Sequence, residues 1–156
     1  MAKAKTDAAA GAGGLVPYIA VRDARAAIEF YKKAFGAVEV FRLVDPQSGK
    51  IGHAEIRIGK CLLMICDEYP DFGAVSPDTL GGTTLKLHLD VADAAAALAA
   101  ALRHGATELR KLEIQFHGCK QALVADPFGY SWFISEKVEE VSPRVMQERW
   151  DQMGQC

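Results

Sequence analysis

Residues 84–93 read TLKLHLDVAD, a histidine set in an alternating run just before an aspartate that opens an alanine-rich stretch. In an extended chain successive side chains point to opposite faces. Leu85, Leu87, Leu89 and Val91 therefore share one face, and Lys86, His88 and Asp90 share the other. The leucine face has to pack against the core, so His88 is expected to look out of the opposite one. Asp93 has the chemistry of an N-cap for the helical run AAAALAAALRH, and Gly105 is placed to stop that helix.

The same grammar occurs earlier in the chain. LVPYIAV (15–21) reads as a strand and Asp23 as an N-cap. In the following ARAAIEFYKKAF, Ala24, Ala27, Ile28, Tyr31 and Phe35 fall on one helical face, and Gly36 ends the run. Val21 and Val91, Asp23 and Asp93, and Gly59 and Gly129 are each separated by 70 residues, which points to an internal duplication. Under that offset Tyr18 is the counterpart of His88. Three strand candidates follow each helix. They are VEVFRLV (38–44), IGHAEIRI (51–58) and CLLMIC (61–66) in the first half. In the second half they are ATELRKLEI (106–114), QALVAD (121–126) and YSWFISE (130–136), with FHGCK read as a connecting loop.

The predicted organisation is an α+β fold of two tandem βαβββ modules, residues 15–66 and 84–137, forming a single domain over 15–137. Residues 67–83, rich in Pro, Gly and Asp, read as the linker between them. Residues 1–14 are small and polar and read as a disordered leader. Residues 138–156 read as a tail whose Ser142 and Pro143 start a short C-terminal helix.

Composition bounds what the protein does. At 156 residues the chain can bury roughly two thirds of its unfolded surface without staples. Eighteen basic and 20 acidic side chains, with no basic stripe, argue against nucleic acid as a partner. No apolar run approaches the roughly 20 residues of a spanning helix, and the first residues are too polar for a signal-peptide core. No membrane partner is expected, and the expected location is cytoplasmic. The four cysteines form no CxxC pair and read as free thiols. Cys61 and Cys66 point to opposite faces of their strand, and Cys156 ends the tail.

Paired βαβββ modules, VxD at the start of each helix, FYKKAFGA at the end of the first and a late DPFGYSW resemble the vicinal oxygen chelate superfamily of glyoxalase I, bleomycin-resistance proteins and extradiol dioxygenases. GKIGHAEIRIG, LMICDE, LGGTTLKLHLDVAD and DPFGYSWFISE are similar to its PhnB-like branch. The resemblance spans about residues 15–137 and implies that the modules form a cupped, barrel-like mixed sheet, commonly completed by a homodimer. Metal-dependent members hold a divalent ion on the concave face through four side chains. Carried onto this chain, those positions are Val16, Lys86, Met64 (with a one-residue ambiguity toward Leu63) and Phe133. Valine and phenylalanine donate nothing, a thioether suits soft ions, and a protonated lysine repels a cation. No metal and no other cofactor is therefore expected, and metal-dependent dioxygenation is disfavoured.

On this reading the cup face carries Val16, Tyr18, Met64 and Phe133 with polar His53, Glu55, Lys86 and His88. A mostly apolar cavity with a few polar groups suits a small-molecule ligand. His117, in the loop QFHGCK (115–120), is a further ligand-contact candidate; relatives commonly carry tryptophan there, and a solvated turn with no duty is the alternative. Three functions stay open. One is a metal-independent binding protein. Another is a glyoxalase-related lyase or isomerase using His53, Glu55 and His88 for acid–base work or an atypical metal. The last is an interaction module acting through its dimer surface.

Overall fold

The computed structural model describes residues 14–154, so most of the expected leader, and Cys156, lie outside the described residues. The first module contains β1 (Tyr18–Val21), α1 (Ala24–Phe35), β2 (Val38–Val44), β3 (Ile51–Ile58) and β4 (Cys61–Asp67). A short helix α2 (Pro77–Leu80) lies in the linker. The second module contains β5 (Lys86–Asp90), α3 (Ala94–Arg103), β6 (Thr107–Ile114), β7 (Cys119–Ala125) and β8 (Ser131–Lys137), followed by α4 (Pro143–Met153).

The strands form two four-stranded sheets ordered β1-β4-β3-β2 and β5-β8-β7-β6. In each, the first strand runs parallel to the last and the remaining pairs are antiparallel. The two sheets do not share a hydrogen-bond ladder, so the expected barrel-like sheet is an open cup of two halves. The duplication is visible in the register: Tyr18 pairs with Met64 as His88 pairs with Phe133. The offset is thus 70 in the first strands and 69 in the last, so Met64 rather than Leu63 is the register counterpart of Phe133.

Both helices start by the same device. Asp23 accepts from the Ala26 amide and Asp93 from the Ala96 amide, each at 2.9 Å. A second carboxylate from the end of the parallel strand adds to each cap. Asp67 accepts from the Ala24 amide at 2.7 Å, and Glu136 from the Ala94 amide at 3.0 Å. Orphan amide donors and the helix dipole favour negative charge at these ends.

The strand alternation is as the sequence predicts, except that Leu85, expected on the packed face, precedes β5 and is exposed because the sheet has not yet begun there. Ala54, Ile56 and Ile58 of β3, Leu63 and Ile65 of β4, and Leu87 of β5 are buried beneath the helices. His53, Glu55 and Arg57 are half-buried on the opposite face, and Lys86, His88 and Asp90 are exposed there. Helix α1 packs against α3 and fuses the two cores. The fusion has a polar centre at Asp126. Its carboxylate accepts from the Tyr31 hydroxyl at 2.7 Å, the Trp132 indole N–H at 2.8 Å, and the Phe128 and Tyr130 amides at 2.9 Å. Burial pushes this carboxyl above the usual range, against the pull of its four donors. The Tyr130 hydroxyl donates to the Ala20 carbonyl at 3.0 Å, a second tie between modules.

Two local expectations are corrected. The linker, expected over 67–83, gives up Asp67 to β4 and carries elements not anticipated from the sequence: a 3-10 turn at Pro70–Phe72 and then α2, whose N-cap Ser76 and first-turn Pro77 repeat the Ser142–Pro143 signal that starts α4. Cys119 and Lys120 of the expected loop belong to β7, where they pair with Lys137 and Glu136. The turn before them needs Gly118, which has φ +86; a Cβ there would stand 2.6 Å from the Glu139 carbonyl oxygen.

Candidate functional site

Register aligns the cup-face side chains in equivalent rows. In the first sheet Tyr18, Met64, Glu55 and Phe41 are successive cross-strand partners. In the second the row is His88, Phe133, Leu123 and Arg110. The first row is where polar groups meet. The Tyr18 hydroxyl lies 3.1 Å from His53 Nδ1 and 3.4 Å from the Gly52 carbonyl oxygen, so the imidazole is its nearer partner. His53 Nε2 lies 3.5 Å from Glu55 Oε1, a long contact. The imidazole is wedged between the edge of the Tyr18 ring, 5.4 Å centroid to centroid, and Phe41 at 5.6 Å.

Although the Tyr18 side chain is 53 % exposed, its hydroxyl is turned in toward Cys66 and His53. Burial first, and then the neighbouring Cys66 thiol, push the phenol up to about 12. It is a protonated donor at neutral pH. Burial likewise pushes the Cys66 thiol up, with the Tyr18 hydrogen bond opposing it, so Cys66 is a thiol rather than a thiolate.

Tyr18 opens onto a cavity of 790 Å³. Cys66, Tyr130, Asp45 and the linker residues Tyr69 and Phe72 complete the parts of its wall that matter chemically. Phe72 sits at the tip of the 3-10 turn and is 87 % exposed, an aromatic ring with almost no protein cover. The Lys50 ammonium stands 5.3 Å from the centre of the Tyr69 ring. The volume lies within the roughly 300–1,000 Å³ usual for small-molecule sites.

The second sheet gathers a different set. Lys86 Nζ and Arg110 Cζ lie 5.9 and 5.7 Å from the centre of the Phe133 ring, and His88 is 6.0 Å from it. His88 Nε2 is 3.1 Å from Asp90 Oδ1 at the exposed surface. Val16 and His88 border a separate, larger cavity of 1160 Å³ shared with Phe35 and Trp132. His117 packs on Phe116, which in turn meets Trp150 of α4.

The structure thus brings Tyr18, His53 and Glu55 together, with Met64 in the same row, and brings Lys86, His88 and Phe133 together in the other sheet. It places His117 apart from both groups, in the turn before β7. Among the described residues no three His, Cys, Asp or Glu side chains are grouped to hold a metal ion, and no helix is long and apolar enough to cross a membrane. Sequence reasoning missed Cys66, Tyr69, Phe72 and Tyr130 as cavity walls. The parity of Cys66 with Met64 was a usable signal for one of them; the linker aromatics offered none.

Known proteins carry the same architecture. Residues 13–134 match the glyoxalase/bleomycin resistance protein/dioxygenase superfamily. An uncharacterised protein of Mycobacterium tuberculosis is 40 % identical over 143 residues, covering 90 % of this chain and 84 % of that one. Among solved structures, TioX from Micromonospora sp. ML1 is 26 % identical with a TM-score of 0.62, over 81 % of this chain and 99 % of that one. A PhnB protein from Bacillus cereus, at 16 % identity and a TM-score of 0.61 over 80 % and 99 % of the two chains, shares the fold. With two βαβββ halves in equivalent register and a match over most of its length, the chain belongs to the glyoxalase/bleomycin resistance protein/dioxygenase superfamily.

Proposed function

We propose that this protein binds a small organic molecule on the cup face without the divalent ion used by metal-dependent members of its superfamily. The observation that carries the reading is the 790 Å³ cavity beside Tyr18, mostly aromatic and aliphatic with a few convergent polar groups. The donor chemistry supports it. At the positions that correspond to family metal ligands, Val16 and Phe133 have no lone pair to give, and Met64 offers only a thioether. Lys86 carries a charge that repels a cation and lies over the Phe133 ring. These residues do not fit a divalent ion.

A second copy of the chain is the expected partner. The outer strands β2 and β6 leave edges unpaired and expose apolar side chains, among them Val38 at 64 %, Leu43 at 60 % and Ile114 at 70 %. Such an edge favours a homodimer that extends the cup, which sedimentation equilibrium reads directly.

A thermal-shift screen across a broad compound panel, paired with elemental analysis of the purified protein, tests the reading. A ligand that binds the native state alone stabilises it by about 2.7 kcal/mol at a hundredfold excess over Kd. At least one compound is expected to raise Tm in a concentration-dependent way. Stoichiometric, tightly held Zn, Ni, Mn or Fe, or a panel with no stabilising compound, overturns it.

A further inference from the structure

Glu55, His53 and Tyr18 lie in one line that ends at a cavity. The Glu55 carboxylate stands 3.5 Å from Nε2, too long for a good hydrogen bond, but its negative charge favours the tautomer with the hydrogen on that nitrogen. In the neutral ring that leaves Nδ1 as the acceptor, and the Tyr18 O–H, 3.1 Å away, is the donor it meets. The phenol therefore has a proton acceptor behind it and oxygen lone pairs left to present to the cavity. Few other groups bear on the line. Phe41 from β2 covers one side of the imidazole, and the protonated Cys66 of β4 lies beside the Tyr18 hydroxyl. Asp45 at the cavity wall is already engaged by the Ser48 hydroxyl at 2.7 Å and the Gln47 amide at 2.8 Å, and Lys50 adds a cation beside Tyr69.

We propose that Glu55, His53 and Tyr18 form a proton relay that takes aromatic ligands bearing an acidic hydroxyl and holds them as oxyanions. The rings of Tyr69 and the exposed Phe72 supply the stacking surface. As the ligand O–H bond breaks, its proton forms a new O–H bond on Tyr18, while the original Tyr18 proton moves to His53 Nδ1. The products are a ligand oxyanion that accepts a hydrogen bond from Tyr18 and an imidazolium held by Glu55. Charge and protons balance within the site, and no redox partner is required. The arrangement has the logic of a carboxylate–imidazole–hydroxyl triad with a phenol in the terminal place. The relay rests on the ligand-binding reading above and names the class of ligand.

The test uses 4-nitrophenol, whose phenolate has its own visible band, beside 4-nitroanisole, which has no proton to give. Full-length wild-type protein is expected to bind both probes, and to lower the pH at which bound 4-nitrophenol ionises by about one unit, a tenfold gain in the phenolate-to-phenol ratio. Tyr18→Phe is expected to keep 4-nitroanisole binding, which reports an intact cavity, and to lose the shift. His53→Gln carries the same test through a residue away from the stacking surface, and Glu55→Gln is expected to reduce the shift. Bound 4-nitrophenol that ionises as it does in free solution overturns the relay, as does a shift that survives both Tyr18→Phe and His53→Gln. If neither probe binds while another compound of the screening panel does, the relay falls and the binding reading stands.

Discussion

Replacing Asp126 by alanine is expected to cost this protein about a third of its stability. The carboxylate is buried and satisfies four donors. Two of these, the Tyr31 hydroxyl and the Trp132 indole N–H, are themselves buried at the junction of the two modules. A buried donor left without a partner costs about 1–3 kcal/mol. The Phe128 amide is only partly buried and adds less, and the Tyr130 amide, though buried, sits in a turn that can shift to find another partner. Against this stands relief from burying a carboxyl, since desolvation pushes its pKa up despite the four hydrogen bonds that lower it. The net expectation is a loss of about 3–4 kcal/mol from the roughly 5–15 kcal/mol of a typical domain. Tyr31→Phe should cost about 1–2 kcal/mol, because the carboxylate keeps three donors. In the double variant the hydroxyl is no longer orphaned, so its loss should fall short of the sum by about 1–2 kcal/mol. Urea unfolding followed by circular dichroism, with linear extrapolation, measures all four proteins. The sign of the pH dependence is also fixed. A carboxyl whose folded value is raised contributes most below its unfolded value and loses that contribution as pH rises through the folded one. The wild type should therefore lose stability relative to Asp126→Asn as pH climbs out of the acid range. Additive single variants, or an Asp126→Ala cost below about 1 kcal/mol, would refute the account of a shared buried acceptor.

Two further outcomes follow from local geometry. Gly118→Ala combines φ +86 with a Cβ 2.6 Å from both the Glu139 carbonyl oxygen and a Val141 methyl, so it should cost about 2–3 kcal/mol and shift the β6–β7 turn; an unchanged urea midpoint would contradict this. Glu68 accepts from the Ser76 amide at 2.8 Å, and hydrogen bonds from the Ser76 and Thr79 hydroxyls bring its carboxyl down to about 2. Its contribution is present above the ordinary glutamate range and is lost as pH falls toward 2, so an NMR titration should show it still ionised below that ordinary range.

Much of the fold was legible because its signals are local. Period-two alternation is a property of the extended chain, so the faces of His53, Glu55, Lys86 and His88 could be read before any sheet was known. The N-caps Asp23 and Asp93 act on amides three residues away, and their common spacing from Gly59 and Gly129 disclosed the duplication. What the linker does was not legible by the same rules. Ser76–Pro77 is a helix start like Ser142–Pro143, but a run of Pro, Gly and Asp masked it.

The sequence by itself therefore determined which side chains face the cup, since one strand's pleat suffices for that. Only tertiary structure decided which of them meet. Strand β1 lies beside β4, not beside β3, so Tyr18 and His53 are separated by two strand spacings, about 9–10 Å. The length of tyrosine carries its hydroxyl across β4, past Cys66, to the imidazole. His88, read from the same alternation, turned out to sit in the other sheet, beside Asp90, Phe133 and a different cavity. Pairing order across a sheet is set by how the whole chain buries its apolar faces. No local pattern encodes it.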